Sequence, residues 1–338
     1  MDVVDAVDAM FVKLDNEVIE LLCCPFCKGS LRRRLDRFTC ADCGLEFPAV
    51  QIAVDETIRE TVFDFRIHRP PYCVPQTLRL WDEAQDKYRD FRNQRVASDS
   101  AKVYEDEIAS VREIYEKEFH LAGRVLDVGG HQGRLRYFLA SDARLYVSAD
   151  PFIDIFQGVT RQRELLKAYP CLSEPCNFLA AHAECLPFKS GSFDWIHIRS
   201  CLDHFFDPYL ALLEAYRCGA KGARLLVGLA IMEKLRELQG PPPQPSRPAF
   251  LARLAAKYRS DGARGIARAV MGRAFPSRPA HSPAPSPKDD HTFRLTHKEL
   301  LDLLARTGWD VSKQHWVKPP FSYCLYLSAT ASPRPSAP

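Results

Sequence analysis

The sequence predicts an α/β protein with a parallel sheet, and two observations carry this prediction. An apolar run from Arg124 to Val128 leads into closely spaced glycines and then into a segment with helical apolar spacing, which is the pattern of strand, tight turn and helix. Further strand-length apolar runs alternate with helix-like segments along the chain, at residues 144–149, 177–181, 193–199 and 224–229. Such alternation implies parallel strands joined by right-handed crossovers.

The glycine turn indicates where a ligand binds and excludes one class of ligand. Its order is Asp127-x-Gly129-x-His131-x-Gly133. A dinucleotide fingerprint that starts at Gly129 needs glycine at positions 131 and 134, where this chain has His131 and Arg134. Asp150 ends the second predicted strand, 23 residues after Asp127, a separation that suits a carboxylate holding a ribose diol. The turn therefore favours a nucleoside-like ligand over a hydride-transfer cofactor.

This turn resembles the first motif of class I S-adenosylmethionine-dependent methyltransferases, Asp/Glu-x-Gly-x-Gly-x-Gly. The resemblance implies a Rossmann-like, seven-stranded methyltransferase sheet with helices on both faces, and S-adenosyl-L-methionine as the cofactor. It also implies that Asp127 faces the ammonium of the methionine part, that Asp150 holds the ribose, and that the glycines let the backbone approach the cofactor. His131 departs from the pattern, because it adds a side chain at the central glycine position.

A second stretch, from His182 to Asp194, strengthens the resemblance. It matches the pattern Asp-Ala-Glu-x-Leu-Pro-Phe-x-x-x-Ser-Phe-Asp of methyltransferases related to ubiquinone-biosynthesis enzymes (methyltransferase type 11), except that His182 replaces the first Asp. In that family this Asp usually meets the adenine amino group, and a neutral imidazole can still accept a hydrogen bond. The cofactor-binding residues that the resemblance implies are Asp127, Gly129, Gly130, His131, Gly133, Asp150, Pro151, His182, Ala183, Glu184 and Ser200.

Candidates for chemistry on the methyl acceptor follow the fourth predicted strand. His204 comes after the carboxyl end of that strand, where ligands of α/β sheets bind, and Asp203 stands beside it. A general base is needed only if the acceptor atom carries a proton. We expect His204 with Asp203 to supply that base, and His131 is the second choice. His197 lies inside the strand and is interpreted as a structural residue.

Four cysteines near the N-terminus form two C-x-x-C pairs, Cys24 with Cys27 and Cys40 with Cys43. Four thiolates at this spacing can close a tetrahedral zinc site, and a site filled by protein ligands alone is structural. Residues 20–55 resemble the zinc ribbon attached to some methyltransferases and to the small activator subunits of RNA and protein methyltransferases. The basic residues between the pairs, among them residues 32–34, either contact RNA or form a solvated hairpin tip.

Composition and turn signals divide the chain into predicted segments. These are a zinc ribbon (1–55), a connector (56–97), the class I methyltransferase domain (98–239 and 291–330), a Pro-rich basic insertion (240–290) and a disordered tail (331–338). The insertion carries ten prolines and nine Lys/Arg against three Asp/Glu, although the whole chain has a net charge of only +3. It is interpreted as a lid, a contact with anionic lipid, an RNA arm or a mobile surface insertion.

The sequence also bears on location and on function as a whole. It has no apolar run long enough to span a bilayer and no basic region typical of a secretory signal, so we expect a cytoplasmic protein whose 12 cysteines are thiols and metal ligands. The expected activity is methyl transfer to an O, N or C nucleophile of a small or lipid-linked metabolite. The alternatives are an RNA methyltransferase that binds RNA through the ribbon and a non-catalytic zinc-ribbon scaffold or partner subunit; the oligomeric state stays open.

Overall fold

The computed structural model describes residues 11–66, 81, 83–90, 94, 99–231, 294–317 and 324–332. The predicted insertion at 240–290 lies outside the described residues. The strands are β1 (Val12–Lys13), β2 (Leu31–Arg33), β3 (Arg37–Cys40), β4 (Glu46–Ala53), β5 (Arg59–Phe63), β6 (Gly123–Val128), β7 (Ala143–Asp150), β8 (Cys176–Ala180), β9 (Phe193–Arg199), β10 (Gly219–Ala230), β11 (Trp309–Val317) and β12 (Cys324–Ala331). The helices are α1 (Asn16–Leu21), α2 (Ala101–Lys117), α3 (Arg163–Ala168), α4 (Pro208–Cys218) and α5 (His297–Arg306), and residues 83–90 are also helical.

The main sheet has the strand order β1-β8-β7-β6-β9-β10-β12-β11. Strands β1, β8, β7, β6, β9 and β10 are parallel, whereas β12 runs antiparallel to both of its neighbours. Without the two-residue edge strand β1, this is the predicted seven-stranded Rossmann-like sheet with its terminal antiparallel hairpin. The parallel strands all end at one edge, which is where ligands of such sheets bind.

Helices cover both faces of the main sheet, as predicted. The apolar face of α2 packs on one side with core residues of β6 and β10, whereas α4 and α5 pack on the other. Two predicted helix starts are confirmed by their capping bonds. The Asp207 side chain accepts from the Tyr209 and Leu210 backbone N–H groups, and Thr296 forms a capping box with Glu299.

The ribbon is a four-stranded antiparallel sheet in the order β2-β3-β4-β5 that is joined to the main sheet at several points. Phe38, Phe47 and Phe65 belong to the same hydrophobic core as the α4 side of the main sheet. Two backbone bonds connect the units: the Phe65 N–H donates to the Ala180 carbonyl at 2.8 Å, and the Cys23 N–H donates to the Pro187 carbonyl at 2.9 Å. The ribbon and the main sheet therefore share a core.

Several sequence expectations differ from the structure in detail. Within the predicted connector at 56–97, residues 59–63 are a strand paired with β4 and residues 83–90 are helical. The alternation of Asp with apolar residues over positions 2–22 predicts a short amphipathic helix, and among the described residues of this segment the helix comprises residues 16–21. The segment after Gly133 is a short 3-10 helix, Arg134–Phe138, because the chain must return to β7 after few residues. The region 151–169 contains only short helical pieces.

The end of the chain is ordered further than its composition predicted. Ala331, the first residue of the predicted disordered tail, is the last residue of β12, and the Ser332 N–H donates to the Gly308 carbonyl at 2.9 Å. Residues 333–338 lie outside the described part of the chain. Among the described helices, none combines the length and apolar character that crossing a membrane requires.

Candidate functional site

A cavity of about 290 Å³ opens at the carboxyl edge of the parallel strands. Its wall contains the ends of β6, β7 and β9 and the residues that follow β8. Of the predicted cofactor residues, those in the wall are Asp127, Gly129, Gly130, His131, Asp150, Pro151, His182, Ala183, Glu184 and Ser200. The sequence motifs therefore converge on one cavity, because each of them follows a strand that ends at this edge.

Asp127 anchors a buried network. Its Oδ1 lies 2.7 Å from His197 Nδ1, and its Oδ2 accepts from the Tyr146 hydroxyl at 2.7 Å. His197 Nε2 lies in turn 2.6 Å from the Tyr115 hydroxyl. Asp127 can still accept from a ligand, since each carboxylate oxygen has more than one lone pair, but its nearest partners are side chains of this protein.

The interpretation of His197 as structural agrees with this network, although the sequence analysis did not connect it to Asp127. The two residues are register partners on adjacent parallel strands. Once β6 and β9 are known to be neighbours, their pairing follows from counting along the two strands. The network holds the Asp127 carboxylate in one orientation at the start of the glycine turn.

Two backbone N–H groups orient the Asp150 carboxylate. Its Oδ2 accepts from the His131 N–H at 3.1 Å and its Oδ1 accepts from the Phe152 N–H at 2.9 Å. The bond to His131 connects the tip of β7 to the glycine turn after β6. Asp150 is thus a positioned carboxylate in the cavity wall, which is the place the ribose interpretation requires.

His131 adopts a left-handed backbone conformation with φ of 50°. Histidine is among the non-glycine residues that tolerate this region best. The Ser148 hydroxyl donates to the His131 carbonyl at 2.9 Å, which fixes the turn from the other side. The His131 side chain is half-buried and lines the cavity without closing it.

Protein packing explains two of the glycines. Gly129 has φ of 71°, and a Cβ there would lie 2.6 Å from the Cys201 sulfur. At Gly130 a Cβ would lie 2.6 Å from Asp127 Cγ and 2.7 Å from the Ser148 hydroxyl oxygen. The sequence analysis attributed these glycines to close approach by a cofactor, but contacts within the turn already exclude a side chain at both positions.

Gly133 and Asp203 lie behind the cavity wall rather than in it. Gly133 has φ of 84°, and a Cβ there would meet Arg136 and Tyr146 at 3.1 and 3.2 Å. Asp203 is buried, with 3% of its surface exposed, whereas His204 lines the cavity. Of the pair His204 and Asp203, only His204 is therefore in the wall, and the second-choice base His131 lines the cavity as well.

A helical segment in the predicted connector, whose sequence indicates short helical pieces, positions His204. Trp81 Nε1 and Gln85 Nε2 donate to the His204 carbonyl at 3.1 and 3.0 Å, and the Tyr88 ring lies 5.1 Å from the imidazole. The Trp81 ring also meets the His182 ring edge-on at 5.9 Å. The sequence signal for this segment is the spacing of Trp81, Gln85 and Tyr88, which places the three side chains on one face of a helix.

Burial raises the pKa of two groups in this wall, the Glu184 carboxyl and the Cys201 thiol. Burial raises the pKa of Glu184, although the Asp207 N–H donates to its Oε1 at 3.0 Å. Burial also raises the pKa of the Cys201 thiol well above its usual value, and this thiol donates to the Val128 carbonyl at 3.2 Å. Cys201 is therefore a packing residue and not a thiolate nucleophile.

The cavity also contains a charged cluster that the sequence analysis did not identify. Arg134 Nη1 donates to Glu107 Oε2 at 3.3 Å, and Arg199 Nη2 lies 3.8 Å from Glu107 Oε1. The Arg134 guanidinium lies 5.7 Å from the ring centres of both Tyr104 and Tyr169. The sequence pattern does not predict this cluster, because Arg134, Glu107 and Arg199 come from three separate elements.

The four predicted zinc ligands lie together at the end of the ribbon. The sulfurs of Cys24, Cys27, Cys40 and Cys43 all lie within 4.8 Å of one another, with 3.7 Å between Cys24 and Cys43 and 3.4 Å between Cys27 and Cys40. A tetrahedral site with Zn–S bonds of about 2.3 Å separates its sulfurs by about 3.8 Å. The donor set therefore fits a zinc ion.

The thiol chemistry of this cluster also suits a metal. Burial acts to raise the pKa of Cys40, but the backbone N–H groups of Cys43 and Asp42 outweigh it and lower this pKa to about 7. Burial raises the pKa of Cys24 to about 12. Since zinc binds thiolates, the ion would displace the remaining protons on binding.

A protein-family model described as "Methyltransferase domain" matches residues 126–227. This segment is similar to that family, and it makes up less than half of the chain. It starts within β6 and ends within β10, so it contains the glycine turn, Asp150 and the segment after β8. These are the parts of the chain that form most of the cavity wall.

One curated protein, the ubiquinone/menaquinone biosynthesis C-methyltransferase UbiE of Allorhizobium ampelinum, is 35% identical to this chain over 107 residues. The match covers 31% of this chain and 40% of the relative. The chain thus spans less than half the length of the curated relative that it matches.

Solved structures with similar folds include three methyltransferase-related proteins. The 1,6-didemethyltoxoflavin-N1-methyltransferase of Burkholderia thailandensis is 12% identical, with a TM-score of 0.44 and coverage of 90% of this chain and 100% of that chain. The magnesium protoporphyrin IX methyltransferase of Synechocystis is 16% identical (TM-score 0.44, coverage 76% and 99%). A complex of the Haloferax volcanii Trm112 methyltransferase activator with a methyltransferase is 13% identical (TM-score 0.43, coverage 72% and 98%).

Proposed function

We propose that the chain is an S-adenosyl-L-methionine-dependent methyltransferase that acts on an O, N or C nucleophile of a small or lipid-linked metabolite by in-line displacement. The observation that carries this proposal is the cavity at the carboxyl edge of the parallel strands, whose wall contains Asp150, the glycine turn and the segment after β8. The name of the UbiE relative, a C-methyltransferase of quinone biosynthesis, supports a metabolite acceptor.

The residues of this cavity fit such a cofactor. The volume of about 290 Å³ is at the lower end of the range for small-molecule sites. Asp150 is already oriented by two backbone N–H groups and would accept from the ribose hydroxyls. His182 and Ala183 would border the adenine, and Glu184, whose pKa is raised by burial, would lie beside them in the cavity wall.

The bound cofactor supplies a methyl group on a sulfonium, with a neutral thioether as the leaving group. The chain then has to orient the acceptor in line with that methyl group and exclude water. The side chains of Trp81, Tyr88 and Phe206 give the cavity an aromatic wall on the side of His204. His204 would take the acceptor's proton where the acceptor atom carries one, and its carbonyl bonds to Trp81 and Gln85 hold it there.

One observation favours RNA as a second candidate acceptor. Arg32, Arg33 and Arg34 are all exposed on the β2–β3 hairpin, next to Leu35, whose side chain is 87% exposed. A cluster of exposed arginines attracts phosphates, and RNA affinity that depends on it weakens steeply as salt is added. A scaffold without activity is the third candidate, but a cavity that stays open beside His131 argues against it.

The test of this proposal measures S-adenosylhomocysteine released from S-adenosyl-L-methionine with two acceptor pools, a lipid and small-metabolite extract and total RNA. The proposal predicts turnover with the metabolite pool that is unaffected when Arg32, Arg33 and Arg34 are changed to Glu. If turnover occurs only with the RNA pool and is lost in that variant, the acceptor is RNA and not a metabolite. Absence of turnover and of S-adenosylhomocysteine binding would support the scaffold.

A further inference from the structure

The charged cluster of Arg134, Arg199 and Glu107 contains more cationic charge than its partners among the described residues neutralise. Both guanidiniums lie in the cavity wall and share the single carboxylate of Glu107. All three side chains are about three-quarters buried, with 23%, 23% and 24% of their surface exposed. The cluster as a whole therefore has one positive charge in excess in a place where water is scarce.

Most hydrogen-bond donors of these two arginines have no partner among the described residues. Each guanidinium has five N–H donors. The Arg134 side chain uses one group, Nη1, for Glu107, and its Nε is buried with no hydrogen-bond partner in the described part of the chain. Arg199 approaches Glu107 only at 3.8 Å, which is too long for a hydrogen bond. Buried donors of a charged group are costly to leave unpaired, so this arrangement lacks a partner.

Two aromatic rings orient the Arg134 guanidinium and leave its N–H donors available. The rings of Tyr104 and Tyr169 lie 5.7 Å from its guanidinium carbon, a distance at which an aromatic ring attracts a cation. The Tyr169 hydroxyl is also buried without a hydrogen-bond partner among the described residues. It lines the same cavity and gives a third unused donor beside the two arginines.

From this geometry we propose that Arg134, Arg199 and the Tyr169 hydroxyl form a subsite for one carboxylate group of a bound ligand. A carboxylate has one negative charge, which equals the excess of the cluster, and its two oxygens match the fork of a guanidinium. The proposal rests on the proposed function, because it assigns this part of the cavity to a ligand. The carboxylate belongs either to the methyl acceptor or to the amino-acid part of the cofactor.

The test compares Arg199→Gln and Arg134→Gln with the control Arg161→Gln, which removes an exposed arginine next to Gln162 in the same region. Calorimetry first measures binding of S-adenosylhomocysteine and of 5′-methylthioadenosine, which lacks the amino-acid carboxylate. A second titration, into the protein with and without S-adenosylhomocysteine, compares benzoate with its neutral analogue benzamide. The ligand-free thermal midpoint of each variant is measured alongside.

If the subsite takes the cofactor carboxylate, the Gln variants bind S-adenosylhomocysteine about tenfold or more weakly, as expected for loss of a charge-assisted hydrogen bond, and bind methylthioadenosine unchanged. If it takes the acceptor carboxylate, S-adenosylhomocysteine binding is unchanged and the preference for benzoate over benzamide is lost. In both cases the thermal midpoint stays the same or rises, because an unneutralised buried cation has been removed, and Arg161→Gln behaves as wild type.

The proposal is overturned if both Gln variants bind S-adenosylhomocysteine and benzoate as the wild type does. It is also overturned if the wild type prefers neither benzoate over benzamide nor S-adenosylhomocysteine over methylthioadenosine. A marked fall in the ligand-free midpoint together with unchanged ligand affinity assigns the arginines to folding instead. Wild-type protein that binds neither nucleoside but does bind benzoate through Arg199 refutes the proposed function and leaves the subsite standing.

Discussion

Glu214 connects the ribbon to the methyltransferase domain, and its replacement by Gln tests whether that junction stabilises the protein. Its Oε2 accepts from Lys28 Nζ at 2.7 Å, from Arg217 Nη2 at 2.8 Å and from the Leu186 backbone N–H at 3.0 Å, and its Oε1 accepts from Arg217 Nε at 2.8 Å. Lys28 belongs to the first C-x-x-C pair of the ribbon, whereas Glu214 lies in α4. One largely buried carboxylate, with 14% of its side-chain surface exposed, thus serves both units.

These contacts determine how much unfolding free energy the Glu214→Gln variant should lose. A hydrogen bond to a charged group contributes about 1.5–3 kcal/mol, and the Gln side chain keeps the acceptor oxygen but loses the charge. The Lys28 side chain is one-third exposed, so its share is smaller. We expect Glu214→Gln to lower the free energy of unfolding by about 2–4 kcal/mol, and a double-mutant cycle with Lys28→Met to give a coupling of about 0.5–1.5 kcal/mol.

The stabilisation that Glu214 contributes depends on pH. Burial acts to raise the pKa of Glu214, but Arg217 and Lys28 outweigh it and hold this pKa below its ordinary value of 4.5. The stabilisation from Glu214 is therefore complete above pH 4.5 and is lost as the pH falls through the lowered pKa. The difference between wild type and Glu214→Gln should shrink in acid.

The assay is urea unfolding followed by circular dichroism at neutral and acid pH. Glu113→Gln is the matched control, since Glu113 is 79% exposed and pairs only with Lys117 on the surface of α2. Ordinary surface substitutions change the free energy of unfolding by less than about 0.5 kcal/mol. If Glu214→Gln lowers it by no more than that at neutral pH, the assignment of this residue to the junction is refuted. A loss that does not change with pH would refute the role given to its charge.

Two further predictions concern the zinc site and the glycine turn. Changing any of Cys24, Cys27, Cys40 or Cys43 to Ser should remove bound zinc and lower the thermal midpoint, because the ribbon and the domain share a core. The control is Cys171→Ser, which changes a half-buried cysteine outside the ribbon and should leave the zinc bound. Zinc found by elemental analysis in the Cys40→Ser protein would contradict the ligand set. Gly130→Ala should cost about 1–3 kcal/mol in urea unfolding, because the added Cβ would meet Asp127 and Ser148. Gly130 is not among the glycines with positive φ, so a loss below about 0.5 kcal/mol would contradict crowding at this position. Gly191→Ala, at φ of 74° with nothing within 4 Å of the added Cβ, measures the cost of backbone strain alone.

The main sheet could be predicted closely because its strands follow from local pattern. Val125 and Leu126 lie in an apolar run bounded by glycines, and such runs are typical of strands buried on both faces. The capping residues Asp207 and Thr296 bond to groups within three residues of themselves, so their role can be predicted from the local sequence. Elements of this kind depend on neighbours in the chain.

The parts that were missed depend on residues distant in sequence. Strand β5 exists because β4 is long enough to pair with it, and its buried Glu60 accepts from the Phe11 N–H at 2.9 Å across 49 residues. The segment at 83–90 carries weak apolar periodicity, but its Gln85 bonds to His204 at a separation of 119 residues. The Arg134–Glu107–Arg199 cluster likewise forms only when three elements meet at the cavity.

The central claim is that Asp150 and the glycine turn hold a nucleoside at the carboxyl edge of the sheet. Calorimetric titration of S-adenosylhomocysteine into wild type and Asp150→Ala tests it most directly, with the thermal midpoint of both proteins as a control for folding. We predict micromolar affinity for wild type and affinity about ten- to a hundredfold lower for Asp150→Ala, as expected for loss of charge-assisted bonds to a ribose. Equal affinities in the two proteins, or no binding to wild type at millimolar ligand, would contradict the claim.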